Sequence, residues 1–169
     1  SRRWPNTPMR VLGIDPGSRR TGWGVVQLEG TRLRHVAAGT IAVPEKQPLA
    51  KRLHLIHLGL QQIIAEHQPE SVAVEEIFFA KYPNAALKLG HARGVALLVT
   101  AESGLEVHEY PPAIVKRTVV GRGAADKTQV GRMVSAVLGL KTPPEEDAAD
   151  ALAVAITHLQ ASRSKAISR

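Results

Sequence analysis

The chain has 169 residues, 44% of them hydrophobic and 22% charged, the balance of one soluble globular domain large enough to bury a core without staples. It contains no cysteine, which excludes a disulfide framework, a thiolate zinc site and a cysteine nucleophile and suits a cytoplasmic setting. A formal charge of +7 favours polyanionic partners, while no apolar run approaches the roughly 20 residues of a membrane helix.

Residues 1–9 read as a basic N-terminal extension or added remnant, with Met9 a candidate start and no apolar stretch of the signal-peptide kind. Residues 10–160 read as a single domain. Arg10 to Asp15 is a buried strand that ends on an acid, and Pro16-Gly17 is turn chemistry. Residues 23–29 form a second strand, Gly30-Thr31 a hairpin turn, and 32–43 a third strand. The spacing of Leu49, Leu53, Ile56, Leu60, Ile63 and Ile64 predicts an amphipathic helix over 48–67, stopped by Pro69. Ser71 to Glu75 is a short apolar strand, 84–102 an Ala- and Leu-rich helix, and 105–110 a fifth strand. Pro111-Pro112 opens a short helix, Gly121 to Gly123 is a loop, and Lys127 to Leu138 is helical. The last helix is predicted over 143–160, with Thr142 as N-cap, Pro143 in the first helical position and Glu145 closing a capping box. Residues 161–169 read as a basic flexible tail. Three strands in succession call for an antiparallel start, and the βαβ units that follow call for a parallel continuation. The expected fold is α/β: a mixed five-stranded sheet with helices on both faces.

Acids stand out by their placement. There are four aspartates, Asp15, Asp126, Asp147 and Asp150. Asp15 and Glu75 each end an apolar strand, and Glu76 beside Glu75 falls on the opposite face. Asp147 and Asp150, at i and i+3, share one face of the last helix. Taken singly, each has a plain reading: an Asp opening a turn, or acids complementing a helix N-terminus. Gathered together, four carboxylates repel unless divalent cations lie between them. Without His or Cys they suit Mg²⁺ or Mn²⁺, and two such ions clamp the attacking and leaving oxygens of a phosphodiester. From Ala113 to Lys141 six bases face a single acid. Three of the six aromatics, Phe78, Phe79 and Tyr82, follow Glu75 beside Lys81, placed either to cap the core or to stack on a base. An acidic metal site in a basic surround points to a metal-dependent nuclease.

The motifs resemble one family over most of the chain. They are Gly13-Ile-Asp15-Pro-Gly17 with Thr21-Gly-Trp-Gly24, Val74-Glu75-Glu-Ile-Phe78, Ala86-Leu-Lys-Leu-Gly90 with Ala92-Arg-Gly94, Tyr110-Pro-Pro, Lys116 with Val119-Val-Gly121, Ala124-Ala-Asp-Lys127, and Asp147-Ala-Ala-Asp150-Ala-Leu-Ala. This pattern is similar to the RuvC-type Holliday-junction resolvases of the RNase H-like superfamily. The resemblance implies a homodimer that cuts a four-way DNA junction symmetrically in recombination and repair, leaving 5′-phosphate and 3′-hydroxyl ends. It implies two Mg²⁺ or Mn²⁺ ions on Asp15, Glu75, Asp147 and Asp150, with Asp15 bridging. It implies that Phe78 stacks on the junction and that Lys116 and Lys127 contact DNA near the cleaved phosphate. Lys81, Lys88, Arg93 and Arg117 are further backbone contacts, and a branch-migration motor is a candidate partner. Tyr82 and His91 depart from the family's usual Asn and Gln at those places. Gly90-x-x-x-Gly94 would serve either a dimer contact or close packing of its helix on the sheet. Three rival readings remain at this level. Asp15-Pro-Gly-Ser18 with Thr21-Gly22 also resembles the phosphate loop of actin-like ATPases, which need a duplicated domain. Another RuvC-like nuclease, of ribosomal RNA maturation, shares the Gly-x-Asp start. A noncatalytic junction binder would gain nothing from four acids facing phosphate.

Overall fold

The computed structural model describes residues 7–76, 83–121 and 126–168, with Lys127 by its backbone alone. Ten elements follow in chain order: β1 (Met9–Asp15), β2 (Arg20–Glu29), β3 (Arg32–Ala42), α1 (Leu49–His67), β4 (Ser71–Glu75), α2 (Pro83–Glu102), β5 (Glu106–Tyr110), α3 (Pro112–Val120), α4 (Lys127–Leu138) and α5 (Glu146–Ile167). The strands lie in the order β3-β2-β1-β4-β5. β1 to β3 pair antiparallel, and β1, β4 and β5 run parallel. The mixed five-stranded sheet expected from the sequence is therefore present. Among the described residues, no helix is long and apolar enough to cross a membrane.

Strand alternation divides the core in two. On one face Val11, Val26 and Ala73 pack with Val115 and Val119 of α3, Val130 and Val134 of α4, and the apolar run Leu152 to Leu159 of α5. On the other, Leu12, Ile14, Val72 and Val74 pack with Ile56, Leu60, Ile63 and Ile64 of α1 and Ala96 and Val99 of α2. Buried apolar area of this kind is the main stabilising term, and the split accounts for helices on both faces.

α5 lies directly on the strands because glycines face it. A Cβ on Gly13 would lie 1.9 Å from the Ala151 carbonyl oxygen, on Gly22 2.0 Å from that of Asp147, and on Gly24 2.5 Å from a Leu152 methyl. Backbone meets backbone, as only glycine permits at such a crossing.

Two expectations about α5 are corrected. The Thr142 capping box does not form: the helix starts at Glu146, and Glu145 stays extended as N-cap with no side-chain cap bond. Pro144 is the reason, since a residue before proline is pushed out of the α region and Pro143 cannot begin a helix. Nor does the helix end at 160, for α5 runs to Ile167. Ser164 and Ser168 donate to the carbonyls of Gln160 and Ser164, and Lys165 stands in the last turn, where a cation suits the helix dipole. The aspartate outside the proposed acid set has a local job: Asp126 caps α4 in a reciprocal box with Gln129, at 2.9 and 3.1 Å.

Candidate active site

Asp15 stands where β1 ends. Thr21, fully buried, closes the following turn by donating from Oγ1 to the Gly17 carbonyl and accepting from the Gly17 amide. Arg52 of α1 donates to the Ser18 carbonyl and fastens the same turn from below. The β1–β4 register runs from Val11 with Ser71 to Ile14 with Val74. The next positions are Asp15 and Glu75, so the two acids end adjacent parallel strands. Alternation from Val11 and Ala73, both on the α5 side, continues that face to Asp15 and Glu75. They line one cavity of about 190 Å³ with Pro16, Glu76, Leu89, Arg93 and Pro112.

The other two acids arrive on α5. Asp147 is in its first turn, with its carbonyl over Gly22, which pairs with Asp15 across the β1–β2 ladder. Asp150 is one turn further along and precedes Ala151, whose carbonyl lies over Gly13. The helix thus carries both acids to the strand end that bears Asp15. The side chains are not closed on a common point: among the described residues no three His, Asp or Glu form a group able to hold a metal ion. Asp147 is held instead by Arg20, whose Nε lies 3.2 Å from its Oδ2. Uncompensated like charges turn away from one another and toward available cations. The donor set itself, carboxylate oxygens around a cavity with cationic side chains near by, fits a hard divalent ion.

The basic residues are placed unequally. Arg93 donates to the Glu75 carbonyl at 2.6 Å and pairs with Glu109 at 2.8 Å, and its side chain is only 12% exposed. It is a strut beneath Glu75 more than a surface for phosphate, a position the sequence did not disclose. Lys88 opens on a larger neighbouring cavity of about 620 Å³ with Arg19, Arg52 and Asn84, and Leu89 is common to both cavities. On α3, Pro112 lines the cavity of Asp15 and Glu75, and Lys116 follows one turn later on the same side with Arg117 exposed beside it. Phe78, Lys81 and Tyr82 lie outside the described residues, as does the side chain of Lys127.

Behind the site is a cluster that the sequence reading missed. The Tyr110 hydroxyl and His158 Nδ1 are 2.6 Å apart, and His158 stacks on His108 with ring centroids 4.1 Å apart. Burial, then the charges of His108 and Lys165, push His158 down to about 4, and burial pushes the Tyr110 hydroxyl up. Neutral His158 and the Tyr110 hydroxyl therefore share one hydrogen bond, tying β5 to α5, while the Tyr110 carbonyl accepts from the Glu76 amide. The unfolded chain binds this proton near pH 6.5 and the folded chain near 4. Stability from this contact is full above pH 6.5 and is lost as pH falls toward 4. Thermal midpoints recorded across that window should fall for the parent, and fall less steeply for His158→Gln. Equal slopes would remove His158 from the account.

A family model described as Crossover junction endodeoxyribonuclease RuvC matches residues 11–158. The chain belongs to the RuvC family. A RuvC from Azorhizobium caulinodans is 54% identical over 153 residues, covering 90% of each chain, and one from Sorangium cellulosum is 57% identical over 153 residues, covering 90% of this chain and 86% of its own. Among solved structures, Thermus thermophilus RuvC in complex with a Holliday junction substrate superposes with a TM-score of 0.87 at 38% identity, covering 93% of this chain and 96% of that one. The fold of this chain is therefore that of a RuvC nuclease, and the actin-like reading is set aside.

Proposed function

We propose that this chain resolves four-way DNA junctions as a divalent-metal-dependent endonuclease in recombination and repair, acting in the cytoplasm. The observation that carries the reading is the convergence of Asp15 and Glu75 on one cavity at the ends of β1 and β4, with Asp147 and Asp150 delivered to the same strand ends by α5.

Asp15, Glu75, Asp147 and Asp150 would hold two Mg²⁺ or Mn²⁺ ions. Bound there, the ions would supply a water nucleophile at neutral pH and charge stabilisation on the attacked and leaving oxygens. The chain's own part is positioning. Thr21 and Arg52 fix the turn after Asp15. Arg93 fixes the backbone of Glu75 through its carbonyl. Lys116 and Lys127 offset the charge that builds on the phosphate, and Phe78 stacks at the junction centre, with Lys81, Lys88 and Arg117 on flanking phosphates. Cleavage leaves 5′-phosphate and 3′-hydroxyl ends.

A homodimer gives the paired cuts. The outer side of α2 supports it: Leu87 and Leu98 are 63% and 53% exposed. Between them Gly90 and Gly94 have nothing within 4 Å of a would-be Cβ among the described residues. The glycine pair therefore does not serve close packing on the helix's own sheet. A branch-migration motor would hand the junction to this dimer.

The test is cleavage of a mobile four-way junction beside a linear duplex of the same sequence, with Mg²⁺, Mn²⁺ or EDTA. Paired, ligatable nicks in the junction alone, and only with metal, are expected. Binding without cutting under every metal would leave a junction-binding module, and cutting of RNA or linear duplex would replace the substrate.

A further inference from the structure

Arg20 opens β2 and reaches toward the start of α5. Its guanidinium meets two carboxylates at once: Nη2 lies 3.1 Å from Glu145 Oε2 and Nε 3.2 Å from Asp147 Oδ2. Thr40 of β3 donates from Oγ1 to the same Glu145 oxygen at 3.2 Å. A planar fork with several donors can bridge two acceptors in this way, where a lysine ammonium cannot match the geometry. Glu145 makes no capping bond to its helix, so its side chain is free for this role. Asp147, one of the proposed four acids, is thus paired with a cation of the protein itself.

We propose that Arg20 is a positioning residue that holds Asp147 in reserve, acting as its counter-ion until the carboxylate is given over to a divalent cation, with Glu145 retaining the guanidinium after the exchange. The inference rests on the reading of Asp147 as a metal ligand. It gives Glu145, outside the four acids, a part in the site: it is the second seat that lets Arg20 release Asp147 without being left unpaired. Competition of this kind weakens metal binding to the free enzyme, because the ion must displace Arg20 from Asp147.

The test is Mn²⁺ binding to the whole chain without DNA, followed by the electron paramagnetic resonance of free Mn²⁺, with thermal unfolding of each variant alongside. Arg20→Gln should tighten Mn²⁺ binding by about two- to fivefold, the range that exposed ion pairs span. Glu145→Gln should weaken it, since the guanidinium then has Asp147 as its remaining carboxylate. In the Arg20→Gln background the Glu145→Gln effect should largely vanish, as coupled residues require. A purely structural role would move both single variants the same way, in step with their thermal midpoints. Unchanged or weaker binding in Arg20→Gln overturns the inference while leaving the metal site standing. Failure of the parent chain to bind Mn²⁺ at all overturns the metal site and the inference with it.

Discussion

Asp15→Asn should abolish junction cleavage and leave junction binding intact. The substitution keeps the shape of the side chain and removes its charge, at the acid that ends β1 and pairs across the ladder with Gly22, under the first turn of α5. A cleavage rate lower by at least about a thousandfold is expected, since loss of one preorganised electrostatic group in an active site already costs about 10²–10³. Binding in EDTA should be equal or slightly stronger, because a negative charge facing phosphate is gone. Quantitative cleavage kinetics and a gel-shift assay on the same junction decide it. A variant that cuts within tenfold of the parent would show that Asp15 is not a metal ligand.

The second large effect comes from a residue with no side chain. In Gly22→Ala the new Cβ would lie 2.0 Å from the Asp147 carbonyl oxygen and 2.3 Å from its carbon. Both are backbone atoms, so no rotamer change relieves the clash. Either the first turn of α5 lifts or β2 bows. Overpacking of this kind costs about 1–3 kcal/mol, a fall in the thermal midpoint of roughly 2–12 °C for a domain of this size. Cleavage should fall further than stability explains, by about a hundredfold, because a displacement of about 1 Å in positioned groups has that effect. Gly131→Ala in α4 is the control: its Cβ meets nothing within 4 Å among the described residues, and helix propensity favours alanine. Melting curves and cleavage rates for the pair settle the matter. A Gly22→Ala protein with parental rate and midpoint would mean that α5 does not rest on β2 as described.

Much of this was legible in the sequence, for identifiable reasons. Strands that end on an acid, as at Asp15 and Glu75, show in a linear pattern because the apolar run and the acid are contiguous. Between them lie β2, β3 and α1, so no single βαβ connection sets their adjacency, and the β1–β4 pairing is what shows it. Lys127 to Leu138 was read with its observed limits. What escaped notice depends on partners far along the chain. Arg93 looked like a surface base because a helix sequence does not reveal that Glu109 and the Glu75 carbonyl lie beside it. The Arg20–Asp147 pair and the Tyr110–His158 contact join residues from opposite ends of the fold. The start of α5 is different: the rule against a helical residue before Pro144 was available in the sequence, and the capping motif outweighed it.

The glycine floor under α5 has a consequence for how the site keeps its dimensions. Where helix and strands touch through main-chain atoms, no rotamer stands between them to act as a cushion or a source of slack. The spacing between the strand acids and the helix acids is then a property of two rigid frames locked together, like the gap in a fixed gauge. Side-chain motion can swing a carboxylate, but it cannot change where the four are anchored.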